Sequence, residues 1–352
     1  MALVIAGVDE AGYGPTLGPL CVGMAVFRVD SWSLGEPAPY LWKLLSAAVT
    51  DSPGDPRGRV PIADSKRLKL PNDSTKRHPL KHLERGVLAM LGASGTIPTC
   101  DESLLDALGT EYGDEEWSQG PAIGLPLAHT ADQCRIDAGL VAAAMERASV
   151  SLAALRCRVM GVGEFNEIVA RTGSKAEATA KAAGELFGAA AAEHGDGPLR
   201  MVCDQLGGRT RYEDVLSRWF PTMRASAMME TEERSRYRLD DADIRANGTS
   251  ERHAADHVTG GEVGASVEST HHPRRAIHFM PEAESKHLAV ALASMVAKLV
   301  RELAMMRFNR YWCGRTPDLK PTAGYATDAK RWLYDMREHL AETERDSLVR
   351  RA

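Results

Sequence analysis

Three apolar stretches of this chain run up to or away from acidic side chains, and that pattern limits the folds open to it. Residues 2–9 (ALVIAGVD) reach Asp9 and Glu10, residues 199–204 (LRMVCD) reach Asp204, and Glu284 stands beside Glu282 at the entry to the most hydrophobic helical stretch. Short apolar runs bounded by turn residues read as buried strands. A buried carboxylate is costly unless it is paired or holds a metal. The acids therefore mark the edge of a core, at strand ends, and they are the first candidates for chemistry. For Glu284 the favourable field of a helix N-terminus is an alternative explanation.

The rest of the chain interleaves strands and helices around those acids. Residues 20–29 read as a second strand that can form a hairpin with the first. A short helix is expected over 40–49, and longer ones over 79–92, 134–150, 175–193 and 288–306. Further strands are expected near 158–162 and over 276–280. This order predicts an α/β fold, a single domain over 1–352 with two insertions. The first, about 93–150, is acidic and partly helical. The second, about 236–275, is polar and reads as a mobile loop. It holds His253, His257, His271 and His272, which lack ligand spacing.

Composition narrows the function classes. With 352 residues, 44% hydrophobic and 26% charged, the chain can bury a real core. No apolar run approaches the roughly 18 residues needed to cross a bilayer. The start of the chain lacks a basic n-region, and the six cysteines form no C-x-x-C pair. These features read as a cytoplasmic protein with reduced thiols and no membrane partner. The formal charge of −5 hides local basic stretches. Seven basic residues lie between Ser65 and Arg85, which permits a polyanionic partner, as it also permits a solvated helix face.

The segment Gly12-Tyr13-Gly14 resembles a dinucleotide loop only superficially. Pro15 intervenes, the third glycine is displaced to Gly18, and a strand follows where a helix is required. The glycines allow close backbone approach, either to a phosphate group or within a ligand-free turn. Two carboxylates about 4 Å apart repel by roughly 4 kcal/mol at an effective dielectric near 20. Four acids converging from Asp9, Glu10, Asp204 and Glu284 would need a cation or protonation. An all-oxygen set without His or Cys favours Mg²⁺ or Mn²⁺ over zinc.

These residues carry a family resemblance. VDEAGYGPTLGP resembles the first motif of the type 2 ribonuclease H family (ribonucleases HII and HIII). Asp64-Ser65-Lys66-Arg67-Leu68 is similar to its Asp-Ser-Lys-x-Leu motif, and AVALASMVAKLVRE (289–302) to its Ala-Ala-Ser helix with Ser294, Lys298 and Arg301. GYATDAK (324–330) resembles its final Gly-Tyr-x-Thr motif. Glu284, Cys203-Asp204-Gln205-Leu206 and Phe165-Asn166 resemble the HIII branch, although the chain opens directly on the catalytic strand without the N-terminal HIII domain. Tyr13 departs from the arginine of HII enzymes, Lys330 stands where many members carry histidine, and the two insertions have no counterpart.

The resemblance implies a ribonuclease H-like fold with a mixed central sheet flanked by helices. It implies an endoribonuclease that cuts the RNA strand of RNA–DNA hybrids, or a ribonucleotide-containing duplex, and leaves 5′-phosphate and 3′-hydroxyl ends. Asp9, Glu10, Asp204 and Glu284 would be catalytic and would hold two divalent ions, Mg²⁺ or Mn²⁺. Gly12, Tyr13, Gly14, Asp64, Ser65, Lys66, Asn166, Ser294, Lys298 and Tyr325 would bind substrate, with the protein acting as a monomer. The rivals are a nucleic-acid-binding relative that has lost catalysis, a two-metal DNA nuclease of the same fold, and an interaction module built on the acidic insertion. Because neighbours on a regular strand face opposite ways, Asp9 and Glu10 can both serve only if the strand breaks or one uses its carbonyl.

Overall fold

The computed structural model describes residues 1–72, 74, 76–242 and 273–351. Its strands are β1 (Leu3–Ala11), β2 (Leu20–Val29), β3 (Val49–Thr50), β4 (Val60–Pro61), β5 (Val150–Met160), β6 (Leu199–Cys203), β7 (Met223–Glu230), β8 (Ser235–Asp241) and β9 (Arg275–Phe279). Its first helices are α1 (Leu41–Leu44), α2 (Ser65–Leu68), α3 (Lys81–Ala93), α4 (Asp101–Ala107), α5 (Ala131–Ala148) and α6 (Val162–Thr172). They are followed by α7 (Lys175–His194), α8 (Glu213–Trp219), α9 (Ala283–Lys286), α10 (Leu288–Arg315), α11 (Ala326–Asp335) and α12 (Glu342–Leu348).

Among the described residues, seven strands form one mixed sheet in the order β5-β2-β1-β6-β9-β8-β7. β1 is antiparallel to β2 and parallel to β6, and β6 is parallel to β9. Side-chain alternation divides the core in two. Leu3, Ile5, Ala25, Phe27 and Val29 face α10 and α3, whereas Val4, Ala6, Val8, Val22, Met24 and Val26 face the Ala-rich α7. The expected mixed α/β sheet flanked by helices is therefore present.

The long helix α10 crosses the β1–β2 hairpin at two glycines. A Cβ at Gly7 would lie 2.4 Å from the Ala289 backbone, and one at Gly23 would lie 2.2 Å from the Ala293 carbonyl oxygen. Only a residue without a side chain lets the helix axis come this close. The contact fixes the N-terminal half of α10 over the strand that carries Asp9.

Four expectations need correction. β1 does not stop at its acids: Asp9 pairs with Gly23 and Glu10 with Val22, and the strand runs to Ala11. Residues 236–241 are no loop, because they form most of β8, paired to both β7 and β9. The remainder of that proposed insertion, 243–272 with its four histidines, lies outside the described residues. The strand expected near 158–162 opens at Val150 as β5, directly after α5 ends at Ala148, and Leu104, Leu105 and Val141 from α4 and α5 are fully or almost fully buried in the α10-side core. Finally, α10 continues to Arg315, nine residues past the expected end.

Candidate active site

Asp9 sits near the end of β1 on the face covered by α10, with 8% of its surface exposed. Its Oδ1 accepts the Glu10 amide at 2.8 Å. Burial pushes its carboxyl well above the ordinary range, the Glu10 and Glu284 charges push the same way, and the Ser294 hydroxyl draws it partly back. Glu10 is pushed up to about 7, first by burial and next by Asp204, with Lys66 opposing. The strand keeps its pairing through both acids, yet both feel the same group of charges.

The other two acids enter from neighbouring elements. Asp204 follows the last residue of β6, and its Oδ1 accepts the Gln205 amide at 2.8 Å. Burial raises it, opposed by that hydrogen bond and by Lys66. Glu284 lies in α9, which starts from Glu282 with φ of 55°. A glutamate in that left-handed region costs on the order of 1 kcal/mol, and the turn directs the chain from β9 into α9. Burial raises Glu284, Asp204 and Asp64 add to the rise, and Lys66 opposes it. Glu284 Oε2 is buried without a hydrogen-bond partner among the described residues.

The exposed Lys66 answers this negative field. Burial would lower its ammonium, but Asp64, Glu284, Asp9 and Glu10 outweigh burial and raise it. Its backbone is fixed by Asp64, the N-cap of α2, whose carboxylate accepts the Lys66 amide at 2.9 Å. The four carboxylates are thus mutually coupled. Among the described residues, however, no three His, Cys, Asp or Glu side chains are grouped closely enough to hold one ion. Their donor chemistry fits a hard divalent cation: carboxylate oxygens throughout, one of them buried and unpartnered.

The substrate candidates divide. Tyr13 and Tyr325 are 37% and 44% exposed, and the Lys175 ammonium lies 5.9 Å from the Tyr13 ring centroid. Gly12 has φ of 99°, and a Cβ there would meet the Pro19 carbonyl oxygen at 2.7 Å, so the turn itself requires glycine. Beside Gly14 there is open space.

Ser65 and Ser294 are buried, and their hydroxyl oxygens lie 2.9 Å apart. Both hydroxyls are thus engaged with each other inside the protein. Lys298 is likewise committed internally, to Glu302 at 2.9 Å and to the Tyr325 hydroxyl at 3.1 Å. Asn166 is the clearest departure from expectation. Its Nδ2 donates to the Val349 carbonyl at 2.9 Å, and its Oδ1 accepts the Arg351 amide at 2.7 Å. Both ends of the amide are spent on pinning the 349–351 segment.

That segment supports the glycine loop, which sequence reasoning missed. The Arg350 amide donates to Thr16 O at 2.9 Å, its guanidinium donates to Pro15 O, and Leu17 bridges Val349. Arg301, fully buried, donates to the carbonyls of Leu17 and Ala323, both at 3.2 Å. Nothing in the sequence near Arg350 announces this, because the partners lie more than 330 positions away. Gly7 and Gly23 did carry a signal, as isolated glycines inside apolar strands.

No protein-family model matches the sequence, and no curated protein does. Solved structures do resemble the fold distantly. Ribonuclease H2 from Pyrococcus horikoshii OT3 is 17% identical with a TM-score of 0.42, over 99% of this chain and 93% of that one. The RNase HII of the PCNA:RNase HII complex from Archaeoglobus fulgidus is 13% identical with a TM-score of 0.39, over 99% and 94%. Bst-RNase HIII in complex with Mn²⁺ is 16% identical with a TM-score of 0.37, over 99% and 66%. Among the described residues no helix is long and apolar enough to cross a membrane.

Proposed function

We propose that this protein is a metal-dependent endonuclease of the ribonuclease H type, hydrolysing the RNA strand of RNA–DNA hybrids to 5′-phosphate and 3′-hydroxyl ends. The observation that carries this reading is the approach of acids from three elements, Asp9 and Glu10 on β1, Asp204 after β6 and Glu284 in α9, in one partly buried region where their carboxyls are all raised. An arrangement that burial and repulsion disfavour persists where a function requires it. These four residues would hold Mg²⁺ or Mn²⁺, which when bound supplies an activated water and charge stabilisation at the leaving oxygen.

The chain's own groups account for the rest. Lys66, exposed beside the acids, holds a backbone phosphate and so fixes position without reading sequence. The Gly12–Gly14 backbone, with open space beside Gly14, approaches the ribose 2′-hydroxyl, the group that separates RNA from DNA. Tyr325 offers an exposed ring for a sugar or base. Tyr13 takes the place of the HII arginine, so the HIII-like residues point to hybrids in preference to single ribonucleotides in duplex DNA. The protein acts as a cytoplasmic monomer in this reading.

The test is cleavage of three labelled substrates in Mg²⁺ or Mn²⁺: an RNA–DNA hybrid, duplex DNA with one ribonucleotide, and plain duplex DNA. Hybrid cutting by the parent and its loss in Asp9→Asn, with an unchanged circular-dichroism spectrum, is the expected result. Cutting of all three substrates assigns a general nuclease instead. Equal rates for parent and Asp9→Asn remove the site.

A further inference from the structure

On the face of the sheet that α10 covers, the strands β6, β9 and β8 carry residues unsuited to a core. Alternation turns Arg200, His278 and Arg236 to one side, opposite Met201, Ile277 and Tyr237, which pack towards α7. α10 begins at Leu288 and does not cover these three. They line a cavity of about 240 Å³, closed on its far side by residues 36–41 and at one end by Lys286 and His287. Arg200 is 6% exposed, so its guanidinium is built into the wall.

The cavity is cationic without being paired. Among the described residues, neither arginine nor Lys286 has a carboxylate within ion-pair distance. Arg200 donates to the carbonyls of Leu199 and Arg274, and Lys286 to that of Pro281. Among the described residues, Arg236 Nε and His278 Nε2 are buried with no hydrogen-bond partner. Glu36 is the one acid of the lining, and its Oε2 accepts the Ser33 amide. Two buried polar nitrogens left unpaired cost about 1–3 kcal/mol each, and clustered arginines repel. Burial, followed by Arg236, His287 and Arg200, presses the His278 imidazole down to about 3, so this ring is neutral in the empty cavity.

An anion removes all of these costs together. Fixed arginine forks favour phosphate, and the first turn of a 28-residue helix adds unpaired amides of the same polarity. The opposite wall has another character. Pro37, Pro39 and Leu288 are apolar, and Tyr40, 53% exposed, stands at the mouth as a flat ring. A ligand matching both walls carries a phosphate at one end and a planar body at the other. We infer that this cavity is a binding site for a nucleoside monophosphate, with Arg236 and His278 holding the phosphate and Tyr40 stacking on the base. The site does not include the four acids and does not depend on the nuclease reading.

Calorimetric titration with adenosine 5′-monophosphate, adenosine and inorganic phosphate tests it. The monophosphate binds saturably with Kd below about 1 mM and inorganic phosphate more weakly, while adenosine shows no saturable binding over the same range. Arg236→Gln weakens the monophosphate at least tenfold. Ala38→Trp, on the exposed segment 36–41, blocks the cavity without touching a buried group, so it carries the test if the arginine variant fails to fold. Absence of saturable monophosphate binding, equal affinity for adenosine, or full affinity in folded variants overturns the inference. So does the alternative in which only a 5′-unphosphorylated oligonucleotide binds in an Arg236-dependent way, which gives the cavity to a nucleic-acid strand.

Discussion

The hydroxyl oxygens of Ser65 and Ser294 lie 2.9 Å apart, joining α2 to α10 across 229 positions of sequence directly behind Asp9. Ser294 also lies near enough to Asp9 to draw its carboxyl down against burial. Ser294→Ala therefore leaves the buried Ser65 hydroxyl unpaired, at a cost of about 1–2 kcal/mol. Urea denaturation reads the loss, and hybrid cleavage should slow while Km stays close to the parent's. Unchanged stability would show that the two serines do not meet.

Glu10 gives the site a pH signature. Its carboxyl titrates near 7 in the folded protein against about 4.5 when exposed. Between those values the folded chain binds the extra proton, so this contribution is complete below about 4.5 and disappears as pH rises through 7. At pH 8 without divalent ions, Glu10→Gln should be more stable than the parent, relative to pH 5, by on the order of 2 kcal/mol. Mg²⁺ should stabilise the parent at pH 8 and help the variant less. Thermal melts in chelator and in Mg²⁺ measure both effects, and a parent-to-variant difference independent of pH would dismiss the coupling.

Asp101 and Arg307 test how firmly residues 93–150 are built in. The guanidinium makes two bonds to the carboxylate, 2.5 and 2.9 Å, with side chains 2% and 0% exposed. Arg307 also donates to the carbonyls of Ser118 and Gly120 at 2.7 Å. Asp101→Ala leaves the buried Arg307 only the exposed Glu102 as a carboxylate partner, at 3.0 Å, and should cost about 3–5 kcal/mol. Asp101→Leu combined with Arg307→Met should cost less than Asp101→Ala alone, because no charge is left behind. A cost below 1 kcal/mol for Asp101→Ala would mean that the segment detaches freely.

Asn166→Ala should loosen the glycine loop from a distance. Removing both amide contacts frees residues 349–351, and with them the Arg350 amide that Thr16 O accepts. The expected stability loss is about 1–2 kcal/mol. Hydrogen exchange should accelerate at the Arg350 and Arg351 amides but not in β6. Equal protection in both proteins would show that the strap holds without Asn166.

Much of this was legible in the sequence, and the failures have physical causes. β2 and α7 follow from periodicity alone, and the acids stand where apolar runs meet polar turns. β5 begins at Val150 with no loop signal, because Ser149 turns the chain with φ of 52°, a task usually given to glycine. β7 is an edge strand with polar side chains in water, and interior β8 alternates buried Ser235, Tyr237 and Leu239 with arginines, a pattern that resembles a polar loop. α10 runs past 306 because Arg307, which reads as the start of a polar stretch, is satisfied inside by Asp101. Ser294, Lys298 and Asn166 kept their motif positions but spend their polar atoms on the protein itself.

The clamp of residues 349–351 on Pro15–Leu17 also sets an order of events during synthesis. At about 5–20 residues per second, the loop waits on the order of tens of seconds for its anchor to be made. Hairpin β1–β2 has long been available by then, but the turn beside Asp9 has not been secured. A nascent chain still lacking residues 349–351 would therefore carry every acid of the site beside a turn that has yet to gain its Arg350 anchor.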